Sequence, residues 1–496
     1  MVLAEIKRIS PVQWSALLLV ALGAVMVQRY FGFHPDVSWL LTLNERLIDG
    51  EKLYVDLLVV NPAVPVWVYR LPVLLAEATG LSAELVLHIM MAATALVSFI
   101  LTTGILRHAN LATANQAFWL LTVLIALFYI VSAHTFAERE HIALFGLLPW
   151  LALQAWRFEN PNQRPDWRIL VLCGVGCAAP VLVKPYYALT VLGPVMTQCI
   201  LLRSVKPAFH LENLIGAVLT VLVTSLFLIL HPAFFADMMD IIMSTYAPYN
   251  TPFRLFYHTF ALTVVLAAIV LRFRPTELSP ITLLLVASVY GHLAALWIMG
   301  RALPYHAFPA YVLMTLAVMS LYRTRQISKK SGFMPALICI AALWGGIKAF
   351  AAVGPSSDAL LNYLAENHSG KTYLPISHVM EDGHPISRAA GLTFVAPAAF
   401  LSTTVYGDVV AAERGSKNPE LLAQIQRSKA MEQDAFRRAI VQDRPMVVVI
   451  PEELVALKPD ALQRIWTTVG PDGRPASLYQ LDKEIDGFRV YTLRDS

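Results

Sequence analysis

Charge is scarce in this chain. Of its 496 residues only 15% are Asp, Glu, Lys or Arg, whereas 57% are apolar, a balance that excludes both a soluble globular enzyme and a disordered protein. Cysteine is scarce too. The four present, Cys173, Cys177, Cys199 and Cys339, all lie inside apolar runs, which excludes a disulfide scaffold and leaves the redox compartment unmarked. No internal repeat or low-complexity segment stands out, and no nucleic-acid partner is expected. A Gly-rich nucleotide loop and an Asp-x-Asp-like loop are also missing, which argues against a nucleotide-sugar donor.

What is abundant is long apolar sequence. Runs near 12–30, 82–106, 113–133, 141–157, 168–184, 186–202, 211–231, 256–272, 279–298, 304–322 and 333–353 each approach the roughly 17 to 25 residues that cross about 30 Å of hydrocarbon. The sequence therefore predicts a polytopic α-helical membrane protein with about eleven transmembrane helices. Val64 to Ala76 is shorter, holds Pro65 and Pro72 and carries Arg70, so it reads as an interfacial or re-entrant helix. With the N-terminus inside, 14 basic residues fall in cytoplasmic segments, while the short opposite loops carry Arg139, Lys184, Arg254 and Arg301. Counting 64–76 as a span would invert that bias. The first span lacks a small-residue cleavage site and reads as a retained anchor.

Net charge is +4 overall, but residues from Gly354 onward hold 15 Lys+Arg against 18 Asp+Glu, so the tail is −3 and the remainder +7. The expected organisation is a transmembrane domain over 1–353, with a long first outer loop at 31–81, and a soluble domain over 354–496. Eleven spans put that tail on the outer face, which in a bacterium is the periplasm. Strand-like runs at 372–376, 446–450 and 488–493 alternate with helical patterns at 357–367 and 418–439, predicting a small α/β module.

Chemistry concentrates in the outer loops. The first begins Phe33-His34-Pro35-Asp36 and continues into an amphipathic helix with Val37, Leu40, Leu41, Leu47 and Ile48 on one side, expected to lie flat on the membrane. Asp36 has two readings: an N-cap of that helix, or a general base for an attacking hydroxyl. Asp49-Gly50-Glu51-Lys52-Leu53-Tyr54-Val55-Asp56 and Asn61-Pro62 follow, adding Asp56 as a second carboxylate.

This pattern resembles the first outer loop of bacterial GT-C superfamily glycosyltransferases, the group of the protein O-mannosyltransferases and the lipid A aminoarabinose transferase. The resemblance implies a GT-C-like fold over roughly residues 10–350 and makes Asp36 the catalytic base.

The second outer loop, His134-Thr135-Phe136-Ala137-Glu138-Arg139-Glu140-His141, is dense in ionisable groups, which are costly at membrane depth unless paired or functional. It reads as a solvated turn with a Glu138–Arg139 surface pair, or as a site in which Arg139 binds phosphate while Glu138 or Glu140 orients the acceptor or a cation. His134, Glu138, Glu140 and His141 are suitable metal-ligand types without a diagnostic spacing; no cofactor is assigned, and a divalent cation remains open. Lys184, before Pro185-Tyr186-Tyr187, either snorkels to the interface or meets a phosphate head group. Arg301, Tyr305 and His306 form either an aromatic-belt turn or further phosphate ligands. His292 reads as a satisfied histidine in the bundle interior.

These residues predict an inverting glycosyltransferase (EC 2.4 class) of the bacterial cytoplasmic membrane. Asp36, Glu138 and Glu140 are its catalytic candidates, with Asp56 and His141 as secondary ones, and Arg139, Lys184, Arg301, Tyr305 and His306 are its donor-phosphate ligands. The expected partners are a polyprenyl-phosphate sugar, membrane lipids, and a glycan, lipid or protein acceptor. The alternative is a transporter or flippase for a polyprenyl-linked glycan, against which stands the crowding of ionisable groups at the outer rim rather than at the midplane.

Overall fold

The computed structural model describes residues 10–323, 356–468 and 475–494. In chain order the helices are α1 (Pro11–Phe31), α2 (Pro35–Ile48), α3 (Ala63–Trp67), α4 (Arg70–Thr79), α5 (Ala83–His108) and α6 (Ala114–Ile125), then α7 (Arg139–Glu159), α8 (Trp167–Val183) and α9 (Ala188–Leu201). After these come α10 (Leu211–Leu230), α11 (Pro252–Arg272), α12 (Pro280–Met299) and α13 (Pro304–Arg323). The tail adds α14 (Asp358–His368), β1 (Thr372–Pro375), β2 (Thr393–Phe394), α15 (Ser402–Arg414), α16 (Pro419–Gln442), β3 (Val447–Pro451), β4 (Tyr479–Ile485) and β5 (Phe488–Leu493).

Ten of the eleven apolar runs coincide with helices; the last, 333–353, lies outside the described residues. Among the described residues six helices are long and apolar enough to cross a membrane by length and composition: α1, α5, α6 with its extension to Val131, α10, α11 and α12. The 64–76 segment is broken at Val68–Tyr69 into α3 and α4. The ten residues of α4 rise about 15 Å, half a bilayer core.

The chain divides into two compact units. The first comprises Met1–Gly32, Thr79–Leu226 and Thr251–Val353; the second comprises Phe33–Ala78, Phe227–Asn250 and Gly354–Ser496.

In the first unit α12 is central and touches α7, α9, α11 and α13. Small residues permit the tightest approaches. A Cβ on Gly291 would lie 2.0 Å from the Leu189 carbonyl oxygen across the α9–α12 contact, and one on Gly176 would lie 2.3 Å from the Gly146 carbonyl oxygen across α7–α8. At the C-terminal end of α7 a buried polar clasp replaces apolar packing. Arg157 donates from Nε and Nη2 to Glu212, 2.8 Å each, while Gln154 donates to the same carboxylate across 3.2 Å and accepts from Gln198. The bidentate pairing compensates Glu212, which has no exposed surface.

The second unit holds a five-stranded mixed sheet in the order β2-β1-β3-β5-β4, with β1 parallel to β2 and β3, and β5 antiparallel to β3 and β4. The α/β expectation holds for the tail. Strands β2 and β4 were not predicted, although Asp486-Gly487, with φ +49° and +78°, is a two-residue hairpin signal between β4 and β5. The buried Glu432 carboxylate of α16 accepts the backbone N–H groups of Thr403 and Thr404 at 2.7 and 2.8 Å, satisfying donors that α15 leaves open in its first turn.

The first loop packs against the tail inside this unit. Arg388 donates to Glu45 (2.6 Å) and Thr42 (3.1 Å) of α2, the Trp39 ring lies 5.4 Å from His384 and 5.6 Å from Phe394, and Leu58 N–H donates to Pro397 O. Residues Val37 to Asn44 are all buried. The middle of α2, Val37–Asn44, is therefore buried on all sides, whereas Asp36 and 45–48 are half-buried, so the helix does not divide into one apolar and one wet face as its periodicity predicts.

Candidate functional site

The ionisable loop of the first unit is assembled by three irregularities of backbone. Helix α6 widens into a π-helical turn over Ala126–Val131, and Ala133 and Ala137 take φ of +42° and +61°. Non-glycine residues there carry strain, which collects where surrounding structure demands a particular geometry. The loop then enters α7 at Arg139. Every residue from Ser132 to His141 except Phe136 and the two alanines is polar, and all ten are buried. The solvated-turn reading of Glu138 and Arg139 is thereby corrected.

Lys184 terminates α8 and its ammonium donates to Glu140 Oε1 across 2.7 Å. The same nitrogen lies 2.5 Å from His306 Nε2, on the first turn of α13. Tyr187 Oη donates to Glu140 Oε1 as well, at 3.3 Å. The ammonium also stands 5.5 Å from the Tyr305 ring centroid and 5.9 Å from that of Tyr187, a range in which an aromatic face attracts a cation. Lys184 does not snorkel; it is drawn inward onto a fully buried carboxylate.

Around this pair the other predicted phosphate ligands gather. Arg139 approaches Glu138 at 3.6 Å and stacks 5.9 Å from the Tyr305 centroid. Arg301 follows the left-handed Gly300 that closes α12, is buried, and acts electrostatically on His306 together with Lys184 and Arg139. Two carboxylates, Glu138 and Glu140, thus face three permanent cations, which leaves the cluster one positive charge in excess and suited to an anionic head group.

A supporting layer was read only as inert packing. His292 Nε2 lies 2.8 Å from the His306 carbonyl oxygen, its Nδ1 lies 3.1 Å from Thr190 Oγ1, and its ring stacks on Tyr187 at 4.7 Å. The expectation of a satisfied interior histidine holds, yet two of its partners, His306 and Tyr187, stand against Lys184. Thr190 gave no sequence signal, and Tyr187 was read only with Tyr186 as an interfacial shelf beside Lys184.

His141 is turned away. Its Nδ1 accepts from Ala137 N–H at 3.1 Å, and its ring packs among Phe128, Phe136, Phe145 and Phe308. With Glu140 engaged by Lys184, residues 134, 138, 140 and 141 do not converge as one ligand set.

The carboxylates of the first loop lie in the second unit. Helix α2 begins at Pro35, and its N-cap is His34, whose Nδ1 accepts from Asp36 N–H at 3.2 Å. Asp36 is therefore not the N-cap; it sits one residue past Pro35 in the first turn, where a negative charge is favoured by the helix dipole. Asp56 is exposed and accepts from Lys52 N–H at 2.8 Å, closing a turn.

No family model matches the chain. No curated protein matches it either. Among solved structures it is similar to the crystal structure of ArnT from Cupriavidus metallidurans bound to undecaprenyl phosphate, at 13% identity and a TM-score of 0.55, covering 98% of this chain and 99% of that one. The chain shares the fold of that structure, a GT-C-like fold. Within a GT-C fold the buried Lys184–Glu140–His306 group is a feature of this chain's own side chains, since 13% identity carries no residue assignments across.

Proposed function

We propose that the protein is a lipid-linked-sugar-dependent glycosyltransferase, moving a sugar from a polyprenyl phosphate to an acceptor hydroxyl on the outer face of a bacterial cytoplasmic membrane. The observation that carries this reading is the buried cationic group Arg139–Lys184–Arg301 around Glu140 and His306, in a chain with the fold of a transferase whose structure holds undecaprenyl phosphate. In the reaction the acceptor oxygen bonds to the anomeric carbon as its proton passes to Asp36, and the anomeric carbon–oxygen bond to phosphate breaks with its electron pair leaving on the phosphate. Attack opposite the leaving group inverts the anomeric centre. Lys184, Arg139 and Arg301, with Tyr305 and His306 as hydrogen-bonding neighbours, stabilise the charge developing on that phosphate. Glu140 holds the Lys184 ammonium at a fixed point, so its role is to position the cation. Asp36 is the base in this reading, in the first turn of a helix whose N-cap is His34.

The test is to incubate purified full-length protein with a panel of polyprenyl-phosphate sugars and measure free polyprenyl phosphate. Release with at least one donor, dependent on an added hydroxyl acceptor, is the expected result. Movement of intact donor across a vesicle membrane without release would replace this reading by the flippase alternative.

A further inference from the structure

The second unit contains a cleft that the transfer chemistry does not use. It encloses about 560 Å³, within the roughly 300–1,000 Å³ of pockets that hold small ligands. Three separated stretches of sequence build it: the first loop, the 227–250 segment and the tail. Its apolar surfaces include Tyr54, Leu58, Val395, Pro397 and Ala435, and its charged groups are Arg46, Glu51, Asp56, Asp237, Arg438 and Asp443. The loop side is held in shape: Arg46 pairs with Glu51 at 2.8 Å and donates to Ala396 O. Tyr54, buried at φ +71°, donates to Asn61 O at 2.7 Å. An aromatic residue in that backbone region is an outlier that surrounding contacts must enforce.

We propose that this cleft binds a short uncharged oligosaccharide, the glycan part of the acceptor. Four carboxylates against two guanidiniums repel an anion, and the presence of both kinds of group suits a neutral polar ligand. That ligand must offer both donors and acceptors, because carboxylates only accept and guanidiniums only donate. Vicinal hydroxyls do both, and they match the planar two-point geometry of each group. The apolar surfaces suit the C–H face of a pyranose ring. A peptide would leave much of this polar rim without complementary groups, since its backbone presents donors and acceptors singly along a line. Asp443 is exposed at the edge of the cleft, but partial desolvation of its carboxyl raises it above its ordinary value, with Arg46 opposing and Glu51 adding to the effect, which places these three charges in one electrostatic neighbourhood.

The acceptor role rests on the transferase reading; binding does not. The experiment is saturation-transfer NMR and titration calorimetry on full-length protein in nanodiscs, without donor. The probes are maltotriose, cellotriose, chitotriose and mannotriose, with a hyaluronan tetrasaccharide and trialanine as anionic and peptide probes. At least one uncharged trisaccharide should bind, the other two probes should not, and Ala435→Trp should weaken binding at least tenfold. Because that tryptophan also tests folding, the exposed pair Arg438→Ala and Asp443→Ala provides a second arm, expected to weaken binding several-fold without changing thermal stability. Binding of trialanine or hyaluronan alone, no binding of any trisaccharide, or unchanged affinity in both arms would overturn the proposal. Polyprenyl phosphate release is read separately, so intact saccharide binding without release overturns the transferase reading and leaves the cleft assigned.

Discussion

The ammonium of Lys184 reaches the Glu140 carboxylate across 2.7 Å, although 44 positions separate them in sequence. Such a pair is weakly stabilising as a whole, because desolvation offsets most of the attraction, but breaking it from one side strands a buried charge at a cost of about 3–5 kcal/mol. Lys184→Ala should therefore abolish most donor use and also lower the melting temperature. Lys184→Met combined with Glu140→Gln should recover much of the stability and none of the activity. A double-mutant cycle on thermal unfolding in detergent, read beside turnover, separates the two roles; additive stability losses would show that the pair is not coupled.

Asp36→Asn should reduce transfer by roughly 100- to 10,000-fold, the usual scale of a general base, with little change in stability. His34→Ala should do the opposite, costing about 1 kcal/mol through the lost cap. Turnover and melting temperature measured for both variants check this. Near-wild-type transfer by Asp36→Asn would direct the search to Glu138 or Asp56.

Gly291→Ala should fail to give well-folded protein, because the added methyl would meet the Leu189 carbonyl at 2.0 Å, and backbone cannot yield as a flexible side chain does. Gly104→Ala, where the added Cβ meets nothing within 4 Å, is the matched control and should be neutral or stabilising. Monodispersity on size exclusion and thermal stability distinguish them.

Asp408 accepts from Lys429 and from Lys458, the latter at 2.6 Å, joining α15 to α16 and to the segment after β3. Burial alone would raise its carboxyl, but the two lysines outweigh burial and hold it below its ordinary value. The folded state therefore binds fewer protons than the unfolded state as pH falls through the carboxylate range. The clamp is fully present above about pH 4 and is lost as pH drops toward the depressed folded value. Asp408→Asn should reduce amide protection of α15 and α16 at pH 7 by about 1 kcal/mol or less, and the difference from wild type should shrink as pH falls below about 4. A pH-independent difference in hydrogen exchange would refute the clamp.

Ten of the eleven apolar runs, the strand-forming Val447–Ile450 and Phe488–Leu493, and the gathering of ionisable groups at loop positions 134–141, 184 and 301–306 were legible because each depends on local composition and period. Membrane helices satisfy their own backbone hydrogen bonds, so apolar length alone nearly suffices to locate them. Loop residues near one end of a bundle must share that end. Tertiary structure decided what no local pattern encodes. Whether Lys184 faces lipid or a carboxylate depends on the rotation of α8 against α7, set by the Gly146–Gly176 approach. Whether Asp36 caps a helix depends on two residues of phase, settled when His34 turned its ring onto Asp36 N–H. Helix α2 reads as half-wet by its own periodicity and is buried through its middle because Trp39, Thr42 and Glu45 meet His384, Phe394 and Arg388, partners more than 300 positions away whose arrival only the folded chain determines.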